Sequence, residues 1–293
     1  MKQQDAYKLL AAFMILIMII VPVAYMVTTP GSELTQQTSE QQSQQEKYNP
    51  EFWVVNQPFY SISDALNMTP PSAVTANYAD IESMTPQMIQ WVRQDGGIGS
   101  LINEVDSKIY KSNTTKMYYA GLQNNSFLLL STMLPEKNDF EYIVLPDSYP
   151  PILRRQGEYS GIFNIMGNPV VFAPQQTAID VLKIIYSLNK TTTAYDQYGG
   201  LLGKVESAQF QTINSNVTFA KQFYMGIRTT NGNYERTTAY MDVNPSTREK
   251  LNGLEANSTK KGFEQYNITT SGNYTYVRIV SPDLFSVLNE EIS

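Results

Sequence analysis

Neither Cys nor His occurs in this sequence. That removes thiol nucleophiles, disulfides, soft-metal and haem ligands and every imidazole base. Carboxylate, Lys, Tyr or Ser chemistry remains. Two acidic pairs have strand spacing, Asp80 with Glu82 and Asp139 with Glu141, so each pair presents both carboxylates on one face. Such pairs can hold calcium through oxygen or act as the acid and base of a glycoside hydrolase, although solvated strand edges carry the same pattern. No D-x-D-x-D-G loop accompanies them.

Other short patterns are weaker. Ser187-Leu188-Asn189-Lys190 and Ser258-Thr259-Lys260-Lys261 fit S-x-x-K, but the S-D-N and K-T-G elements that make this a nucleophile site are missing. Gly96-Gly97-Ile98-Gly99 has neither dinucleotide-loop spacing nor the Gly-Lys-Ser/Thr of a P-loop, and reads as the turn closing a helix. Arg154-Arg155 follows Tyr149-Pro150-Pro151 and reads as a polar connector able to meet an anionic glycan. No catalytic, cofactor-binding or metal-ligating residue is assigned, and no cofactor is expected.

The most frequent site pattern is Asn-x-Ser/Thr. It occurs at Asn67, Asn113, Asn124, Asn189, Asn216, Asn257, Asn267 and Asn273, never with Pro in the middle. These are candidate N-glycosylation sites if the chain lies outside the membrane.

The start of the chain supplies that condition. Residues 9–27, LLAAFMILIMIIVPVAYMV, carry no charge, and as a helix they are close to the roughly 30 Å of a bilayer core. Lys2 and Lys8 precede them and no Lys or Arg follows until Lys47. The charge bias places residues 1–8 in the cytoplasm and everything after the anchor outside. A cleaved signal peptide is the alternative, with a shorter apolar core as its usual mark. Residues 28–50, rich in Gln and Ser, form a flexible tether.

Over all 293 residues the chain is 42% hydrophobic, with 20 Tyr, 12 Phe and a net charge of −6. A folded ectodomain follows, and a general nucleic-acid binder does not. An internal match aligns Lys116-Met117-Tyr118-Tyr119-Ala120-Gly121-Leu122 with Lys221-Gln222-Phe223-Tyr224-Met225-Gly226-Ile227, at an offset of 105. Gly96-Gly97 aligns with Gly199-Gly200 at 103. Two related modules are expected, 51–155 and 156–293. Strands are predicted at 73–81, 116–122, 127–133, 140–145, 159–166, 169–173, 221–229, 234–243 and 274–280. Helices are predicted to start near Thr85-Pro86, Asn244-Pro245 and Ser281-Pro282, with a buried helix over 178–188. Asn231-Gly232 and Gln123-Asn124-Asn125 mark hairpins. The fold class is α+β, with an antiparallel sheet in each module, helices on one face, and split βαβ plaits as one arrangement.

These features point to a single-pass, membrane-anchored protein of a prokaryotic cell envelope. Its partners are the lipid bilayer through residues 9–27 and envelope proteins or glycans, not nucleic acid, and it is expected to work without catalysis. The alternatives are an extracytoplasmic sensor with a ligand between its modules, and a carboxylate-dependent hydrolase.

Overall fold

The computed structural model describes residues 50–94, 97–146, 148–187 and 191–291. The expected anchor at 9–27 and the tether up to residue 49 lie outside the described residues. Among the described residues no helix is long and apolar enough to cross a membrane.

In chain order the elements are β1 (Val55–Asn56), α1 (Ile62–Leu66), β2 (Ala73–Asp80), α2 (Pro86–Gln94) and α3 (Gly99–Glu104, continued by a π turn over Val105–Ile109). Then come β3 (Asn113–Leu122), β4 (Phe127–Leu134), β5 (Tyr142–Val144), β6 (Leu153–Arg155), β7 (Ile162–Ile165), β8 (Gly167–Asn168) and β9 (Val170–Pro174). The chain continues through α4 (Gln175–Tyr186), α5 (Ala194–Leu202), β10 (Phe210–Asn214), β11 (Gln222–Thr230), β12 (Asn233–Met241), α6 (Pro245–Ala256), β13 (Gln265–Ser271), β14 (Tyr274–Ser281) and α7 (Leu284–Asn289).

Among the described residues, twelve strands form one antiparallel sheet in the order β13-β14-β12-β11-β10-β2-β3-β4-β9-β7-β6-β5. β1 and β8 make a small parallel pair beside it. Read outward from the β2–β10 ladder, β2-β3-β4-β9-β7 and β10-β11-β12-β14-β13 have the same order of strands, 1-2-3-5-4 in sequence. The first two strands of each half lie side by side, where a split plait holds them apart, so the halves are not plaits. The expected boundary at 155/156 falls among paired strands: Leu153 pairs with Asn164, and β9 lies between β4 and β7. Residues up to α4 therefore pack with the first half.

Helices cover both faces, not one. Met88 and Val92 of α2, Leu101 and Ile102 of α3, Leu251 of α6 and Leu284 and Val287 of α7 pack on one face. Ile62 and Leu66 of α1, Ala178 and Val181 of α4, and Tyr198 and Leu201 of α5 pack on the other. The apolar run of β4 requires this arrangement. Leu128 and Leu130 point to one side and Leu129 to the other, and all three are buried, each contributing about 2 kcal/mol of burial.

The explicit turns form as expected. Asn231 and Gly232 take φ of 51° and 85°, and Asn124 and Asn125 take 62° and 58°, as tight hairpins require. The side chain of Asn244 accepts from the Thr247 amide at 2.8 Å to start α6. Two expectations shift. α7 is capped by Asp283, which accepts from the Ser286 amide at 2.8 Å, not by Ser281-Pro282. α4 begins at Gln175 and buries only Thr177, Ala178 and Val181, leaving Ile184 and Ile185 half-buried and Tyr186 exposed.

Candidate functional site

The acidic pairs separate on inspection. Asp80 ends β2, where Lys116 of β3 lies 3.8 Å from it and 3.4 Å from Glu82. One lysine therefore bridges the pair and offsets one of its two charges. Glu141 is exposed ahead of β5, and Asp139 lies part-buried two residues before it. Among the described residues no three acidic side chains gather as a metal site.

Arg155 is not in a connector. It lies on β6, buried, with its guanidinium 3.7 Å from the Phe140 ring centre and 5.1 Å from that of Tyr110. It donates to Asn164 Oδ1 and to the Ile109 carbonyl, both at 2.6 Å. Burial pulls its pKa down, against the attraction of Tyr110 and Tyr159. It ties β6 to the end of the π turn, while Arg154 alone faces solvent.

Asn67, Asn113, Asn124, Asn216, Asn257, Asn267 and Asn273 are all exposed, so every described sequon is sterically open to a glycan. Asn189 lies outside the described residues.

A cavity of ≈ 350 Å³ opens over the second half of the sheet. Glu235 and Thr237 of β12, Tyr276 and Arg278 of β14, and Asn267 and Thr269 of β13 line it, with Lys204, Val205 and Glu206 after α5 as its wall. Its origin is visible in the strand registers. Centring the two halves on the middle pair of the β2–β10 ladder, Asn77–Thr212, and stepping outward pair by pair superposes equivalent rows. One row reads Tyr78, Tyr118, Leu130, Val171, Ile165 in the first half. Its counterpart reads Ile213, Tyr224, Ala239, Tyr276, Thr269. Tyr118 and Tyr224 coincide, both fully buried on the same face. One step along, Ala173 and Phe163 match Arg278 and Asn267, and Leu128 matches Thr237.

The apolar positions of the first half lie beneath α4, which follows β9 onto that face. In the second half α7 follows β14 onto the opposite face. The groove is thus the place where α4 has no counterpart, and its floor is polar where the equivalent floor is apolar.

Its electrostatics are organised around Glu235, whose side chain is only 3% exposed. Arg228 donates to Oε1 from Nε at 3.1 Å and to Oε2 at 3.2 Å. Arg278 donates to Oε2 at 2.7 Å, and Arg228 also contacts Glu206. Burial pushes the Glu235 carboxyl up, but hydrogen bonds and charge from the two arginines outweigh it and hold its pKa below the ordinary range. Two arginines and two glutamates form a neutral set. Lys204 adds a cation whose Nζ lies 5.4 Å from the Tyr274 ring centre, with no carboxylate partner among the described residues. Tyr274 and Tyr276 stack at 6.4 Å with ring planes 21° apart. The Tyr276 hydroxyl is enclosed and has no hydrogen-bond partner among the described residues.

Sequence reading missed this groove because β13 was not predicted and its residues come from four separate segments. The one available signal was Arg278 in a strand otherwise rich in apolar and aromatic residues.

Comparison with known proteins adds little. The sequence matches no protein-family model and no curated protein. Among solved structures, crystal forms I, III and IV of TP0453 align over 76–77% of this chain and 96–97% of theirs, at 10–11% identity. Their TM-scores of 0.43, 0.43 and 0.44 describe a distant likeness that carries no argument about this chain.

Proposed function

We propose that this protein is a single-pass component of a cell envelope that binds glycans, without catalysis, through the groove on β12, β13 and β14. Residues 9–27 anchor it, residues 1–8 stay in the cytoplasm, and the folded part stands outside on its tether. Its two halves descend from one duplicated module, which the shared strand order supports. The observation that carries the binding role is the exchange of an apolar, helix-covered floor for an open one bearing Asn267, Thr269, Thr237 and Arg278 around tyrosine rings. Hydroxyl- and amide-bearing side chains beside flat aromatic rings suit a ligand dense in hydroxyl groups. Hydrolysis fits less well, because a glycosidase needs a carboxyl kept protonated and Glu235 is held ionised.

Co-sedimentation of the full chain in detergent micelles with insoluble cell-wall polysaccharide tests the reading. Binding is expected, together with its loss in Tyr276→Ala and Thr269→Arg. Binding unaffected by both substitutions overturns the assignment to this groove.

A protein-contact reading has its own observation. Ile143 and Val144 of the edge strand β5 are exposed, as are Tyr149 and Tyr186, and edge strands with exposed apolar residues recruit partners.

A further inference from the structure

Resting on the glycan reading of the same groove, we infer that its ligand is an acidic sugar, one bearing a carboxylate, and that Lys204 and Arg278 are the residues that select it. The argument is one of charge. Arg228 is consumed by Glu235 and Glu206. Arg278 gives one nitrogen to Glu235, remains 47% exposed, and has no other protein acceptor among the described residues. Lys204 is exposed on the groove wall and has no carboxylate partner among the described residues. Together with Arg228 behind them, the groove residues Lys204, Arg278, Glu206 and Glu235 carry one net positive charge in a chain of net charge −6, and one ligand carboxylate brings the set to neutrality.

Arg278 offers the planar donor edge that carboxylates accept, and Lys204 offers a point charge. The other carboxylates of the chain repel such a ligand only weakly at physiological salt, where fields fade within about 8 Å. Selection is then local and falls as salt rises.

Titration calorimetry of the full chain in detergent, with tetragalacturonate as the probe, tests this. Its carboxyl-reduced neutral counterpart and pentaglutamate serve as the comparisons. The uronate is expected to bind at least about ten-fold tighter than the neutral sugar, with affinity falling as salt rises. Lys204→Met should weaken uronate binding about five-fold, more than any loss it causes in neutral-sugar binding, while Lys204→Arg restores it. Lys204 is exposed, so its variants keep the fold, and an unchanged melting temperature verifies this. Equal binding of the two sugars overturns the acidic preference while leaving the glycan reading intact. Binding of neither sugar overturns the glycan reading itself. Pentaglutamate binding as tightly as the uronate overturns the sugar assignment in favour of an acidic peptide.

Discussion

Replacing Glu235 by Gln tests the electrostatic centre of the groove. The substitution keeps the shape and removes the charge that Arg228 and Arg278 share. One end of the new amide is a donor facing donors. Removing one partner of a fully buried ion pair costs about 3–5 kcal/mol. Here the arginines are 21% and 47% exposed, so water can reach both once the carboxylate is gone. The expected loss is therefore smaller, about 2 kcal/mol. For a folded part of this size that lowers the melting temperature by about 4–8 °C at pH 7. The sign with pH follows from the depressed pKa of Glu235. Its stabilisation is complete above the ordinary glutamate pKa and is lost as pH falls through the lower folded value. The gap between wild type and Glu235→Gln should therefore close in acid. Melts recorded from pH 7 to pH 3 read both effects. A gap that stays constant over that range, or one below 1 °C at pH 7, refutes the view that two arginines hold an ionised Glu235.

Three other outcomes are expected. Protease added to intact cells stripped of any outer layer should digest residues beyond about 30, since the charge bias sends them outside; protection of the C-terminal half contradicts that topology. Ile184→Asp should cost only about 1 kcal/mol, because Ile184 borders a solvent-accessible cavity with Gln57 and Pro58, whereas Leu130→Asp, fully buried, should cost more than about 4 kcal/mol; equal melting shifts refute this distinction. In a host that glycosylates sequons, protein occupied at Asn267 should lose polysaccharide binding, because that side chain lines the groove; mass spectrometry of bound and unbound fractions checks it.

Much of the fold was legible where local chemistry dictates local structure. The β3–β4 and β11–β12 hairpins follow from Asn residues and Asn231-Gly232, which accept positive φ, and α2 and α6 follow from capping residues before Pro. β10 was not legible. Its five residues, FQTIN, look polar, yet it lies at the centre of the sheet with Gln211 buried. Gln211 is tolerated because its amide donates to the Ala208 carbonyl at 2.7 Å, within its own turn. β13 failed as a prediction for the opposite reason. As an edge strand it exposes most of its side chains, and Glu255 of α6 accepts from its Ile268 amide at 2.8 Å. Helix placement on two faces was implicit in the run FLLLSTM of β4, since a strand apolar on both sides needs cover on both. The groove was illegible because it depends on where α7 goes, a long-range packing choice.

The internal match at an offset of 105 found the right strands and the wrong register. β3 and β11 are both the second strand of their half, yet Gly121 lies on the face of Tyr119 and Gly226 on the face of Tyr224. Side chains alternate along a strand, so an offset wrong by one residue exchanges the faces. The offset that keeps faces is 106, which carries Tyr118 to Tyr224 and Ala120 to Gly226. Nor does Gly97, in the link between α2 and α3, match Gly200 inside α5. The two strand glycines should then respond differently to substitution. A Cβ on Gly121 would meet only the Thr75 methyl, at 3.0 Å. Gly121→Ala should be close to neutral, the lost backbone freedom of the unfolded chain offsetting a small adjustment. A Cβ on Gly226 would lie 2.3 Å from the Tyr224 hydroxyl and 3.2 Å from Ala208. Tyr224 is fully buried and its hydroxyl donates to the Glu206 carbonyl at 3.4 Å, so it cannot swing away without disturbing the groove wall. Gly226→Ala should cost about 1–3 kcal/mol and weaken polysaccharide binding with it. Paired melts of the two variants decide between the registers: equal shifts would favour equivalent glycines and an offset of 105, and a larger shift for Gly226→Ala favours 106.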